Sequence, residues 1–228
     1  MKTTKTEQVL QDLKSKARPD QIAGMASYGL TPDGRLGVSI PELRQMAKGL
    51  GKDHGLAVEL WHTGLAEARI LASMVDDPSA LTEQQMEEWV AGFGSWDVCD
   101  QVCMNLFENS PLAWIKVRDW ARRDEEYVKR AGFALLAYLA WHNKQASDGQ
   151  FLEMVPVLRI GATDGRNYVK KAVSWALRNI GKRNEGLRAA ALEAAEGIGS
   201  IDDKTARWIA ADVKRDLCSE ATLRRLAP

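Results

Sequence analysis

The sequence places a tryptophan and an aspartate four residues apart, Trp96 and Asp100, within Phe93-Gly94-Ser95-Trp96-Asp97-Val98-Cys99-Asp100. A glycine break, a serine suited to capping and an apolar stripe of Val98, Val102 and Leu106 predict a helix over Ser95–Phe107. On that helix Trp96 and Asp100 lie about 40° apart, at the border of the stripe. Asp97, in the first turn, is explained by the helix dipole. Asp100, one turn further in, has two readings. A carboxylate shielded by an indole can stabilise positive charge developing on a sugar as a glycosidic bond breaks. It can equally pair with an arginine of a neighbouring helical hairpin.

A second candidate is Trp175, on a predicted helix over Arg166–Gly181 whose apolar face is Val169, Val173, Ala176, Leu177 and Ile180. At 100° per residue Trp175 points about 140° away from the centre of that face. Lys171, Arg178 and Lys182 are its neighbours at helical spacing. Cations for phosphates beside an aromatic for a base or sugar suit a nucleic-acid surface; the alternative is packing against the next hairpin. Arg130 lies inside the apolar run Tyr127–Leu136, so its guanidinium needs an acid or a phosphate.

Cofactor and metal chemistry has no sequence signature. His54, His62 and His142 are scattered, and Cys99-x-x-x-Cys103 lacks the further ligands a zinc site needs. Neither a phosphate-binding glycine loop nor a nucleophile elbow occurs. No metal and no cofactor are expected.

The elements that must position these residues read as helices almost throughout. They are expected at Thr4–Ala17, Asp20–Tyr28, Pro41–Leu50, Gly55–His62, Ala66–Val75, Thr82–Ala91, Ser95–Phe107 and Pro111–Arg122. Further helices are expected at Asp124–Trp141, Gly149–Ile160, Arg166–Gly181, Asn184–Ala195 and Asp202–Asp216, with a short tail from Glu220. Thr82 and Gln85 form a capping-box pattern. The longest break, Gly29–Ser39, holds three glycines and a proline and must be a shaped loop. Short helices joined by tight turns imply antiparallel hairpins of roughly 35–40 residues, the unit of HEAT- or armadillo-type α-solenoids. The expectation is an all-α fold of about six to seven such repeats, one domain over residues 1–228, curved with a basic concave face. Of the eight tryptophans, Trp61, Trp89, Trp114, Trp120, Trp141 and Trp208 are expected in the core.

With 228 residues, 45% hydrophobic and 27% charged, the chain is neither disordered nor collagen-like. No apolar run approaches the roughly 18 residues of a membrane span. The polar N-terminus and three cysteines give no sign of secretion, so a cytoplasmic protein is expected. Net charge is zero, but as an average of opposed regions: Asp53–Glu108 holds 11 acids against Arg69 alone, whereas Leu158–Arg188 holds eight bases against two acids. Such asymmetry can make one face attractive to phosphates; the bland reading is that the opposed charges meet in the fold.

Together, Ser95–Asp100, Lys129-Arg130-Ala131-Gly132-Phe133 and Tyr168–Arg178 resemble the DNA alkylation repair family of HEAT-like-repeat DNA glycosylases, over nearly the whole chain. The resemblance implies hydrolysis of the N-glycosidic bond of cationic N3- or N7-alkylated purines in double-stranded DNA, with no metal or cofactor. It implies Asp100 as the catalytic carboxylate and Trp96 and Trp175 as the aromatic pair at the lesion's deoxyribose. Arg130 matches a phosphate-contacting arginine, and Arg166, Lys170, Lys171, Arg178, Lys182 and Arg183 supply the basic surface. Ser95 stands where the family's type member has a second aromatic. A monomer is expected. The alternative is a non-catalytic HEAT-repeat protein that binds damaged, bent or branched DNA.

Overall fold

The structure, a computed structural model, describes residues 3–226. Among them it holds helices α1 (Lys5–Ser15), α2 (Pro19–Ala26), α3 (Ile40–Leu50), α4 (His54–His62), α5 (Ala66–Val75), α6 (Glu83–Ala91) and α7 (Trp96–Asn105). Then follow α8 (Ala113–Trp120), α9 (Glu126–His142), α10 (Asp148–Leu152), α11 (Val155–Ile160), α12 (Asn167–Gly181), α13 (Glu185–Gly199), α14 (Lys204–Leu217) and α15 (Glu220–Leu226). No strand occurs among the described residues. The chain divides into two compact units, Met1–Ser110 and Pro111–Pro228.

Local chemistry sets the element ends. Thr4 and Ser39 close reciprocal capping boxes with Glu7 and Glu42, each satisfying two otherwise orphaned amides. The box expected at Thr82 forms only in half. Thr82 accepts from the Gln85 amide, but the Gln85 side chain donates to buried Asp76 at 2.6 Å. The helix expected over Gly149–Ile160 is broken into α10 and α11. Pro156, at the start of α11, cannot donate back into the preceding turn. The helix from Ser95 ends at Asn105, where Leu106 leaves helical geometry and a short 3-10 turn, Phe107–Asn109, follows.

In the first unit α5 is central, packing on α3, α4 and α7. Trp61 and Trp89 stack face to face there at 4.3 Å, and the Arg69 guanidinium sits over Trp61 at 4.7 Å. In the second unit the long helices α9 and α12 pack on each other, α8 covers α9, and α13 and α14 cover α12. Gly132 lets α9 press on α8, since a Cβ there would meet the Ala121 nitrogen at 2.7 Å. Of the tryptophans expected in the core, Trp61, Trp89 and Trp120 are buried and Trp114 is half-buried, whereas Trp141 and Trp208 are exposed, at 50% and 38%. Trp141 is the penultimate residue of α9, and Trp208 lies on the flank of α14 under Lys170. No helix among the described residues is long and apolar enough to cross a membrane.

Candidate functional site

In the first unit the loop over Gly29–Ser39 is built into the structure. Gly37 has φ +78°, and a Cβ would meet the Arg18 carbonyl oxygen at 2.4 Å, so only glycine fits. The amides of Leu36 and Gly37 donate to the buried Glu67 carboxylate at 3.0 and 2.8 Å. That anchorage carries Arg35 to the start of α7, where its fork donates to both oxygens of Asp97 at 2.6 and 2.7 Å. The same guanidinium donates to Ser95 Oγ at 3.0 Å and to the Thr31 carbonyl at 2.9 Å.

Burial pushes the Asp97 carboxyl upward, but hydrogen bonds from Arg35 and Ser95 and the Arg35 charge outweigh it. The group is held below the ordinary carboxylate range. Ser95 is therefore not a side-chain cap; its hydroxyl donates to Asp97 at 2.7 Å. Ser95 is 5% exposed and its hydroxyl is engaged by both Arg35 and Asp97, so here the position serves the clamp, where the family's type member has an aromatic.

Beyond this clamp, α7 presents the predicted pair. Trp96 is half-buried, and its indole Nε1 donates to the Tyr28 carbonyl at 3.0 Å, which fixes the ring. Asp100, one turn on, is 8% exposed. Side chains four apart on a helix share a face, with Cβ atoms roughly 6 Å apart. The unit thus offers an immobilised indole beside a shielded carboxylate.

The second unit holds the basic helix. Trp175 is half-buried and meets Tyr138 of α9 edge-on at 4.9 Å. The predicted cations sort into distinct environments. Arg178 Nη1 and Lys182 Nζ reach Asp216 of α14 at 3.1 and 2.6 Å, and Arg178 Nε lies 3.5 Å from Asp212. Burial raises Asp216, but Lys182 and Arg178 hold its carboxyl below the ordinary range. Arg166 binds Asp164 at 2.6 Å and the Asp124 carbonyl at 2.5 Å.

Arg183 serves the fold. It donates to the carbonyls of Ala140, Asn143 and Ala146 at the end of α9 and covers the Phe151 ring at 4.3 Å. Arg130 is 6% exposed, and its Nη1 donates to the Tyr168 carbonyl at 2.7 Å, propping the first turn of α12. Lys170 sits over Trp208 at 5.0 Å, and Lys171 is exposed beside Trp175. The helix is basic in sequence, and much of its charge is already matched by α14.

Two participants escaped the sequence reading. Arg35 lies in a loop with no periodicity to flag it, and its partner Asp97 is 62 residues away. Trp141 lies in an apolar-periodic helix, yet it is 50% exposed. It lines an open cleft of about 450 Å³ with Trp175, Lys144, Lys182 and Arg225.

An all-α chain with these features matches the DNA alkylation repair enzyme family over residues 9–212. The chain belongs to that family. Its structure is similar to that of a protein from a family related to the HEAT-like repeat DNA glycosylases, with affinity for branched DNA structures. That similarity has a TM-score of 0.76 and 20% identity, and covers 93% of this chain and 95% of the other. It shows the fold: HEAT-like helical hairpins. A designed armadillo repeat protein in complex with the peptide (KR)4 aligns at TM-score 0.37 and 14% identity, over 81% of this chain and 78% of its own. No curated protein matches the sequence.

Proposed function

We propose that the protein is a monofunctional DNA glycosylase that hydrolyses the N-glycosidic bond of cationic N3- and N7-alkylated purines in duplex DNA. The observation that carries the reading is Trp96, locked through its N–H to Tyr28, one turn ahead of the shielded Asp100. Family membership supports it.

The chemistry follows from charge. An alkylated purine already bears a positive charge, so the electron pair of the breaking C1′–N bond neutralises the departing base, and no acid need protonate it. Positive charge moves to the sugar. An indole face stabilises such a cation by about 0.5–2 kcal/mol. A carboxylate in a shielded site acts on it more strongly than one in water. Asp100 then accepts a proton from the attacking water, whose oxygen bonds to C1′ and leaves an abasic site and a free alkylpurine. Lys170, Lys171, Arg178 and Lys182 supply the phosphate contacts, and Trp175 offers a second aromatic surface to DNA. Strand cleavage, which would need a Schiff-base amine, is not part of the proposed reaction.

A second reading is non-catalytic binding of branched DNA. One observation favours it: the fold is that of a protein related to the glycosylases with affinity for branched structures. One experiment separates the two. Purified protein is incubated with methylated duplex in EDTA, and released bases are resolved by chromatography. Release of N7-methylguanine or N3-methyladenine supports the glycosylase; tight binding to a four-way junction without release supports the alternative.

A further inference from the structure

The cleft lined by Trp141 and Trp175 is more than a flank of the basic helix. Trp141, 50% exposed, stacks on His142 at 4.6 Å and lies nearly parallel to Tyr138 at 6.4 Å, while Trp175 meets the same Tyr138 edge-on. Tyr138 itself is buried, so the rings form one aromatic block with the Trp141 indole as its solvent end. That exposed indole face, at the mouth of the cleft, is apolar surface that a ligand can bury.

The rim gives the covering partner its chemistry. Lys144 and Arg225 are exposed at the cleft, and Lys182 adds a third cation already steadied by Asp216. Lys144 Nζ donates to the carbonyl of Trp141 itself, at 2.5 Å, which fixes a positive charge beside the indole. The amide nitrogen of Asn179 is held by the Ala137 carbonyl at 3.0 Å, which orients a polar edge at the wall. An aromatic face flanked by cations suits a planar base joined to a phosphate. The cleft, at about 450 Å³, falls within the roughly 300–1,000 Å³ of small-ligand sites. Within a paired duplex the base faces are already stacked on one another; an unpaired nucleotide has a face to give.

We infer that this cleft receives one unpaired nucleotide of DNA, its base on Trp141 and its phosphate between Lys144 and Arg225. The inference rests on the reading of the chain as a DNA-binding protein and adds to it a preference for strands with an unpaired base.

The test uses the full chain and two fluorescent duplexes, one fully paired and one carrying a single bulged 2-aminopurine. Wild type binds the bulged duplex about tenfold more tightly and quenches its fluorescence. Trp141→Ala loses both effects while its affinity for the paired duplex stays within twofold; Trp141→Phe retains most of the preference. Equal wild-type affinity for the two duplexes, or an unchanged preference in Trp141→Ala, overturns the inference and leaves the DNA-binding reading intact. Failure of the wild type to bind either duplex removes both.

Discussion

Arg35 and Asp97 form a two-pronged ion pair, at 2.6 and 2.7 Å, between a loop and the first turn of a helix that lie 62 residues apart in sequence. The guanidinium is 3% exposed and the carboxylate 16%. The pair holds the start of α7, and therefore Trp96 and Asp100, in place.

Removing one member leaves the other buried and unmatched, which costs about 3–5 kcal/mol. Arg35→Ala is expected to lower stability by that order, measured by urea unfolding. Base release should fall with it, because α7 loses its anchor. Asp97 also sets a pH limit. Its folded-state carboxyl lies below the ordinary value of 3.8, so its contribution is complete above that value and is lost as pH falls through the lower, folded one. Stability attributable to the pair should be flat from neutrality to about pH 4 and decline below it; in Arg35→Ala that decline should shrink.

Asp100→Asn keeps the shape but removes the charge and turns one acceptor oxygen into a donor. Single-turnover release of N7-methylguanine should drop by about 10²–10³-fold, with duplex affinity within twofold of wild type. Unchanged release would refute the catalytic assignment.

Lys171 and Arg183 should separate cleanly although both are basic and both were expected on the DNA. Lys171→Ala should weaken binding equally for damaged and undamaged duplex and lower the salt-dependence slope by about one unit. Arg183→Ala should instead destabilise the second unit, since its guanidinium bridges three carbonyls at the end of α9. Thermal melting and a salt titration of binding distinguish the two effects.

Asp216→Asn removes the carboxylate that holds Lys182 and Arg178. Duplex affinity should rise several-fold at low salt and converge on wild type at high salt. Lower affinity would mean that Asp216 serves DNA binding by positioning those cations.

Much of this architecture was legible in the chain. Amphipathic periodicity located the helices to within a few residues, because burial of an apolar stripe dominates where a helix forms. It also put Trp96 and Asp100 on one face, which depends only on four-residue spacing. The partners of charges were not legible. From sequence Asp97 is explained by the helix dipole alone, because nothing local points to Arg35, and the matching of α12 by Asp212 and Asp216 links residues 34 to 38 apart. Trp141 reads as core because periodicity reports which face a residue is on, not whether a neighbour covers that side chain.

The aspartates of α14 have a consequence for how the protein would travel. If DNA binds as proposed, a phosphate that takes Arg178 or Lys182 would displace the Asp216 carboxylate already seated there, so each contact would yield the small difference between two similar attractions. Moving one step along the backbone returns the cation to its resting partner and costs little. On the proposed DNA-binding reading, so light a grip would let ordinary duplex pass and leave a site that offers more than charge to hold the protein in place.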